Sequence, residues 1–280
     1  MKIITTITEI QSVSEALRKE DKTIGFVPTM GFLHEGHLSL MRAARAECDV
    51  VVVSIFVNPA QFGPNEDLDR YPRDVEGDRT KCLSVPVDLL FMPDAKEMYP
   101  PGASTYVSVE GSSTILEGAI RPFHFRGVAT IVAKLFNIVK PHRAYFGQKD
   151  FQQCVVIKRM VKELNMDVAI SVLPTVREPD GLAMSSRNAY LVPEERRAAA
   201  LLSQALRAGE GLVRAGVREA EKVRQKMRAV LLQEKDILID YAEIADPDSL
   251  APLDRVDGKI VLLVAARLGS TRLIDNLLIL

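Results

Sequence analysis

Neither sign of charge is in surplus in this chain: 36 Lys and Arg stand against 37 Asp and Glu, a net charge of −1 at pH 7. Without a broad basic footprint, a nucleic-acid partner is not expected. Cysteine is scarce, at 3 in 280 residues. Cys48, Cys82 and Cys154 are scattered and odd in number, with no metal-site or redox spacing, which argues against a disulfide framework and for a reducing compartment. No apolar run reaches the length of a membrane span. The start, Met1-Lys2-Ile3-Ile4-Thr5-Thr6, has none of the long apolar core of a secretion signal. A cytoplasmic protein with no membrane partner is therefore expected. What is present, 47% hydrophobic and 26% charged residues, suits one large or two modest globular domains.

The first part of the chain alternates β-like and α-like segments. Residues 50–57 form an almost unbroken β-branched run, as in a parallel strand buried on both faces. Residues 23–27, 87–92, 144–146 and 168–173 read as further strands. Val128, Ile131, Val132, Leu135, Ile138 and Val139 fall at helical spacing, closed by Pro141, and residues 38–47 and 151–164 also read as helices. This alternation predicts an α/β fold with a Rossmann-like doubly wound parallel sheet. Near residues 174–180 the character changes. Helices over 193–214 and 218–235, then strands over 237–245 and 259–266, predict a smaller C-terminal α+β domain. The expected division is 1–176 and 177–280.

Two of the 4 histidines lie in Pro28-Thr29-Met30-Gly31-Phe32-Leu33-His34-Glu35-Gly36-His37, between a strand and a helix start. Such a turn offers backbone N–H groups and a positive dipole end to a phosphate. With His34 before the helix and His37 in its first turn, both rings can point the same way. Gly31 and Gly36 allow close approach of a ligand to the backbone. The residues also admit a purely structural turn with a satisfied His37, or two ligands of a metal that would normally want more.

Other segments have the same ambiguity. Ser54-Ile55-Phe56-Val57-Asn58-Pro59-Ala60-Gln61-Phe62 runs past a strand's end, where Gln61 can donate and accept at once toward a hydroxyl beside a carboxylate, or can simply be solvated beside a turn. Phe146-Gly147-Gln148-Lys149-Asp150-Phe151-Gln152-Gln153 repeats the strand, glycine turn and helix start. There Lys149 suits a triphosphate and Asp150 a helix cap, a ribose or a metal. Pro174-Thr175-Val176-Arg177-Glu178 and Met184-Ser185-Ser186-Arg187-Asn188 read as ordinary loop chemistry or, in a mobile-looking loop, as adaptable donors around transferring phosphates. His124 and Arg126 either lend charge to an anion or fasten a loop, and Asp78 suits a helix N-cap or a surface pair.

Pro28-Thr29-Met30-Gly31 followed by His34-Glu35-Gly36-His37 resembles the HxGH signature of the nucleotidylyltransferase superfamily. In its fuller form it resembles the pantoate–beta-alanine ligase family, with Met184 to Asn188 as that family's version of the synthetase KMSKS motif. The likeness runs from Pro28 to Thr271-Arg272-Leu273-Ile274-Asp275-Asn276. It implies an ATP-dependent condensation of (R)-pantoate with beta-alanine through a pantoyl-adenylate, releasing AMP and pyrophosphate. It implies catalytic roles for His37, His34, Lys149 and Arg187. ATP contacts are implied for Met30, Gly31, Phe32, Leu33, His34, Glu35, Gly36 and His37, then Gly147, Gln148, Lys149 and Asp150, then Val176 through its backbone, and Met184, Ser185, Ser186 and Arg187. Gln61 and Gln153 would bind pantoate and beta-alanine, with Met30 and Phe62 as apolar walls, and Asp78 is the candidate metal ligand. Mg2+ would accompany ATP as substrate, with no organic prosthetic group, and the chain would form a homodimer. The smaller domain would close as a lid over the reactive anhydride. Two departures stand out: Gln148 where the family more often has Glu, and Phe123 where it often has a small residue. The competing readings are a superfamily member that transfers AMP to a phosphate acceptor, and a nucleotide-binding module without turnover.

Overall fold

The computed structural model describes every residue from Met1 to Leu280. The chain divides into two compact units, Met1–Gly147 with Gln152–Pro174, and Gln148–Phe151 with Thr175–Leu280.

In the first unit the order is β1 (Lys2–Ile4), α1 (Ile7–Lys19), β2 (Ile24–Thr29), α2 (Glu35–Glu47), β3 (Val50–Ile55), α3 (Val75–Ser84), β4 (Leu89–Phe91), α4 (Ala95–Met98), α5 (Glu117–Ile120), α6 (His124–Val139), β5 (Arg143–Gly147), α7 (Phe151–Glu163) and β6 (Ala169–Leu173). The six strands form one sheet in the order β1-β4-β3-β2-β5-β6, every pair parallel. Successive side chains of a strand point to opposite faces, and here both faces are buried. Ile24, Phe26 and Val52 join α1, α6 and α7 in one core, while Val27, Val51 and Val53 join Met41 and Ala44 of α2 and Cys82 of α3 in the other. This is the expected doubly wound sheet. Strand order reverses between β2 and β5, and in such sheets ligands bind outside the carboxyl ends of the strands at that point.

Some elements differ from expectation. Helix α2 begins at Glu35 rather than 38, so that both histidines belong to its N-terminus. Helix α6 starts at His124 and ends when Lys140 turns left-handed at φ 50°, one residue before Pro141. β1, α1 and α3 are additional to the expected elements. β1 has only 3 residues, whereas α1 sets Ile7, Ile10, Val13 and Leu17 at helical spacing, Ile10 in the core and the others partly buried against it.

The second unit contains α8 (Pro193–Ala199), α9 (Leu201–Arg214), α10 (Ala220–Leu231), β7 (Ile237–Ala245), β8 (Ile260–Leu268) and β9 (Thr271–Ile279). Its sheet is antiparallel, β7-β8-β9. One face packs with α9 and α10 around Leu206, Val223, Met227, Leu262 and Val264. The expected single helix over 193–214 breaks at Ala200, with no proline or glycine to announce it. β9 is a further strand beyond those expected, a hairpin partner of β8 across Gly269-Ser270. Residues 148–151 cluster with this unit because Asn276 of β9 donates to the carbonyls of Gln148 (2.9 Å) and Lys149 (2.8 Å).

Candidate active site

In the first unit the site is built on the loop between β2 and α2. Thr29 Oγ1 donates to the carbonyl of Ser54 (2.8 Å) and accepts from the Gly31 N–H (3.2 Å), stitching the loop to β3. Gly31 sits at φ +83°, and a Cβ there would meet Asp78 Oδ2 at 2.9 Å, so both conformation and space require glycine. Asp78 is 2% exposed. Its two oxygens accept the N–H groups of Phe32 (2.8 Å) and Leu33 (2.6 Å). Burial pushes its carboxyl above the usual carboxylate range, while these two bonds pull the other way. The helix cap of α3 is Asp74, whose Oδ1 accepts from Gly77 (2.9 Å). With both oxygens held by backbone donors, Asp78 anchors the loop.

His34 is the N-cap of α2 and His37 its third residue. Nδ1 of His34 accepts the Gly36 N–H (3.2 Å), and Nδ1 of His37 accepts the His34 N–H (3.3 Å). The ring centroids lie 4.1 Å apart, so the rings do share one side of the helix start. A neutral imidazole has one donor and one acceptor nitrogen. With both Nδ1 atoms accepting, each neutral ring has its proton on Nε2, as a donor at the positive end of the helix.

Gln61 is buried at the end of a short 3-10 turn after β3. Its Oε1 accepts from Asn58 Nδ2 (2.9 Å), which leaves the Nε2 end as the donor side of the amide. Its backbone carbonyl takes His124 Nδ1 (3.0 Å) and Arg121 (3.2 Å), and Arg121 also grips Glu66. His124 thus fastens a loop rather than supplying charge. Burial, reinforced by Arg121, pushes its ring down to about 4. Arg126 stacks over Tyr106 and the unusual Phe123, at 4.6 and 5.3 Å from the ring centroids. Gln153 is half-buried in the first turn of α7. Its neighbour Gln152, which no sequence signal singles out, is saturated: it donates to Ser112 and Ile115 (both 2.8 Å) and accepts from Glu117 (3.0 Å).

In the second unit Lys149 pairs with Asp150 at 3.5 Å in a 3-10 turn. Because Asn276 Nδ2 is committed to two carbonyls, its Oδ1 needs a donor, and Gln148 Nε2 supplies it (3.2 Å). The departure from glutamate is thus matched to its surroundings. Arg177 makes a two-pronged pair with buried Asp275 (2.6 and 3.0 Å). Val176 accepts from the Met184 N–H (3.0 Å) in a tight hairpin. Ser185 caps the 3-10 turn Ser186–Tyr190 by accepting from Arg187 N–H, and Asn188 ties it to Ala183 and Glu178. Residues 185–190 thus form a capped 3-10 turn.

Residues 2–278 match the family described as Pantoate-beta-alanine ligase. The chain is 59% identical over 276 residues to the pantothenate synthetase of Thermotoga petrophila, covering 99% of each. It is 55% identical over 279 residues to that of Moorella thermoacetica, covering 100% of this chain and 99% of the relative. Among solved structures, a pantothenate synthetase from Thermus thermophilus is similar with a TM-score of 0.94 at 46% identity, with 99% of both chains covered. A pantoate-beta-alanine ligase from Francisella tularensis, complexed with beta-gamma ATP and beta-alanine, gives 0.81 at 37% identity, with 99% of this chain and 97% of that one covered.

Asp78→Asn keeps one acceptor but turns an amide N–H toward a backbone donor. It is expected to cost roughly 2 kcal/mol in denaturant unfolding, and an unchanged midpoint would contradict the anchoring role. For His124 the folded-state value, about 4, lies below the ordinary 6.5. Its neutral form therefore contributes stability that is present above pH 6.5 and is lost as pH falls toward 4. In an NMR titration its ring should stay neutral at about pH 5. Protonation near 6.5 would refute the assignment.

Proposed function

The chain belongs to the pantoate-beta-alanine ligase family, and we propose how its own residues divide the ATP-dependent joining of pantoate to beta-alanine. First a pantoate carboxylate oxygen attacks the α-phosphorus of ATP, forming the acyl–phosphate bond as pyrophosphate leaves. Then the amine of beta-alanine attacks the acyl carbon. A C–N bond forms, the C–O bond to AMP breaks, and the amine gives up a proton. Little of this requires covalent work by the protein, so positioning and charge stabilisation supply most of the rate.

The observation that carries the assignment is the pair of imidazoles at the start of α2, each with Nδ1 accepting a backbone N–H. Nε2–H donors beside a helix N-terminus suit an oxyanion whose charge grows as pyrophosphate departs. We assign His34 and His37 to the phosphates, with the backbone from Met30 through Gly31, Phe32, Leu33, Glu35 and Gly36 forming the surrounding turn. We likewise assign Lys149, Ser185, Ser186 and Arg187 to ATP, with Gly147, Gln148, Asp150 and Met184 in the turns that carry them. Val176 is assigned a contact to adenine through its backbone, beside the hydrogen bond its carbonyl accepts from Met184. Gln61 and Gln153 orient pantoate, with Met30 and Phe62 beside its methyl groups. A phosphate acceptor would require a basic group where Gln61 offers an amide, which favours the carboxylate as nucleophile.

Mg2+ is assigned no protein cage: Asp78 is committed to backbone donors, and the ion belongs to ATP as its counter-ion. The protein is taken to work as a cytoplasmic homodimer, an assignment that rests on the family alone and that sedimentation would check.

His37→Ala is expected to slow adenylate formation by ~10²-fold or more while ATP binding changes little, because the lost donor acts on charge that develops in the transition state. Near-normal single-turnover adenylation in that variant would overturn the assignment. Gln61→Ala should weaken pantoate binding without comparable loss for ATP, and an unchanged pantoate titration would remove Gln61 from the acid site.

A further inference from the structure

Amide orientation in the neighbourhood of Gln61 follows from backbone chemistry. The carbonyl of Gly127, 3.1 Å from the Asn58 side chain, can only accept, so the atom facing it is Nδ2. The N–H of Ala60, at 3.3 Å, can only donate, so the atom facing it is Oδ1. With both ends fixed, Nδ2 also meets Gln61, whose facing atom must then be Oε1 (2.9 Å). Oδ1 also meets the Tyr99 hydroxyl (2.9 Å), which must donate. The result is a one-way relay from Tyr99 through Asn58 to Gln61, whose Nε2 group is left as donor. Asn58 is 1% exposed and Gln61 8%, so water offers little alternative. Helix α6 comes close enough to take part because residue 127 is glycine: a Cβ there would lie 2.1 Å from the Ala60 carbonyl oxygen.

We propose that Tyr99 is a positioning residue for recognition of the acid substrate: its hydroxyl, through Asn58, holds the Gln61 amide so that only N–H donors meet the acid. This rests on the assignment of Gln61 to the acid. The Tyr99 ring has separate holds, Phe56 at 6.3 Å between centroids and the Lys134 ammonium at 5.4 Å from the ring centre, which phenylalanine would keep. Burial pushes the hydroxyl up to about 12, so it remains protonated, a donor, across the working range.

Steady-state kinetics on three variants test this with the full chain, ATP, pantoate and beta-alanine. Tyr99→Phe is expected to raise KM for pantoate by about five- to tenfold, the worth of one buried hydrogen bond, with kcat within about twofold and KM for ATP unchanged. Gln61→Glu is isosteric: one carboxylate oxygen still accepts from Asn58, and the other turns an acceptor toward the acid. It should lose ~10²-fold or more in kcat/KM for pantoate, since like charges would face each other. If Gln61→Glu retains near-normal kcat/KM while Gln61→Ala does not, the donor polarity is wrong. If Gln61→Ala raises KM for pantoate and Tyr99→Phe lowers only the melting temperature, Tyr99 is structural and the proposal fails. If Gln61→Ala itself leaves pantoate unaffected, the assignment of Gln61 to the acid fails first.

Discussion

The grip of one buried carboxylate on two backbone N–H groups underlies the arrangement of the first unit's site. Asp78 holds Phe32 and Leu33 immediately before the two histidines, and it comes from a helix far along the chain. Burying a carboxylate is costly unless its lone pairs are satisfied, and both oxygens are satisfied here by the loop itself. Phe32 is held with a positive φ of 49° and Gly31 with one of 83°. A loop so constrained delivers the chain to His34 in the extended conformation that an N-cap needs. The histidines then cap the helix with their Nδ1 atoms, which fixes the nitrogen that faces outward. The chemistry of the site thus depends on an acidic residue that need not touch any substrate.

The same device, an amide whose direction is dictated by backbone carbonyls, recurs in the second unit. Asn58 is oriented by the Gly127 carbonyl and in turn orients Gln61. Asn276 is oriented by the carbonyls of Gln148 and Lys149 and in turn requires a donor from the Gln148 side chain. In both cases a flexible polar group becomes a directional one without any charge. Directional neutral groups suit a ligase that must hold a carboxylate in line with a phosphorus.

The sheet is legible in the sequence because its central strands are continuous β-branched runs such as Val50 to Val53, a pattern that a strand buried on both faces dictates. The helices of one strong hydrophobic face, α6 and α7, are legible for the same reason. β1 is not, because a short edge strand leaves almost no pattern, whereas α1 does carry a stripe of Ile7, Ile10, Val13 and Leu17 at helical spacing. β9 has a signal in the Gly269-Ser270 turn between two apolar runs. In the candidate site, His34, His37 and Gln61 are visible as residue types at the ends of strands. Asp78, Asn58, Tyr99 and Gln152 are not legible in their roles, since each acts across a sequence separation that only the fold closes. Asn58 to Tyr99 spans 41 residues and Phe32 to Asp78 spans 46. The departure at Gln148 is visible, but its reason, the polarity of Asn276, is not.

The central claim is that this chain activates a carboxylate by adenylation before any amine takes part. Incubating the enzyme with ATP and pantoate in the absence of beta-alanine, then quenching and searching for an acyl-adenylate, tests it most directly. The account predicts enzyme-bound pantoyl-adenylate and a matching amount of pyrophosphate, with AMP appearing only when beta-alanine is added. Pyrophosphate that forms only once the amine is present, with no adenylate in the quenched sample, would contradict it.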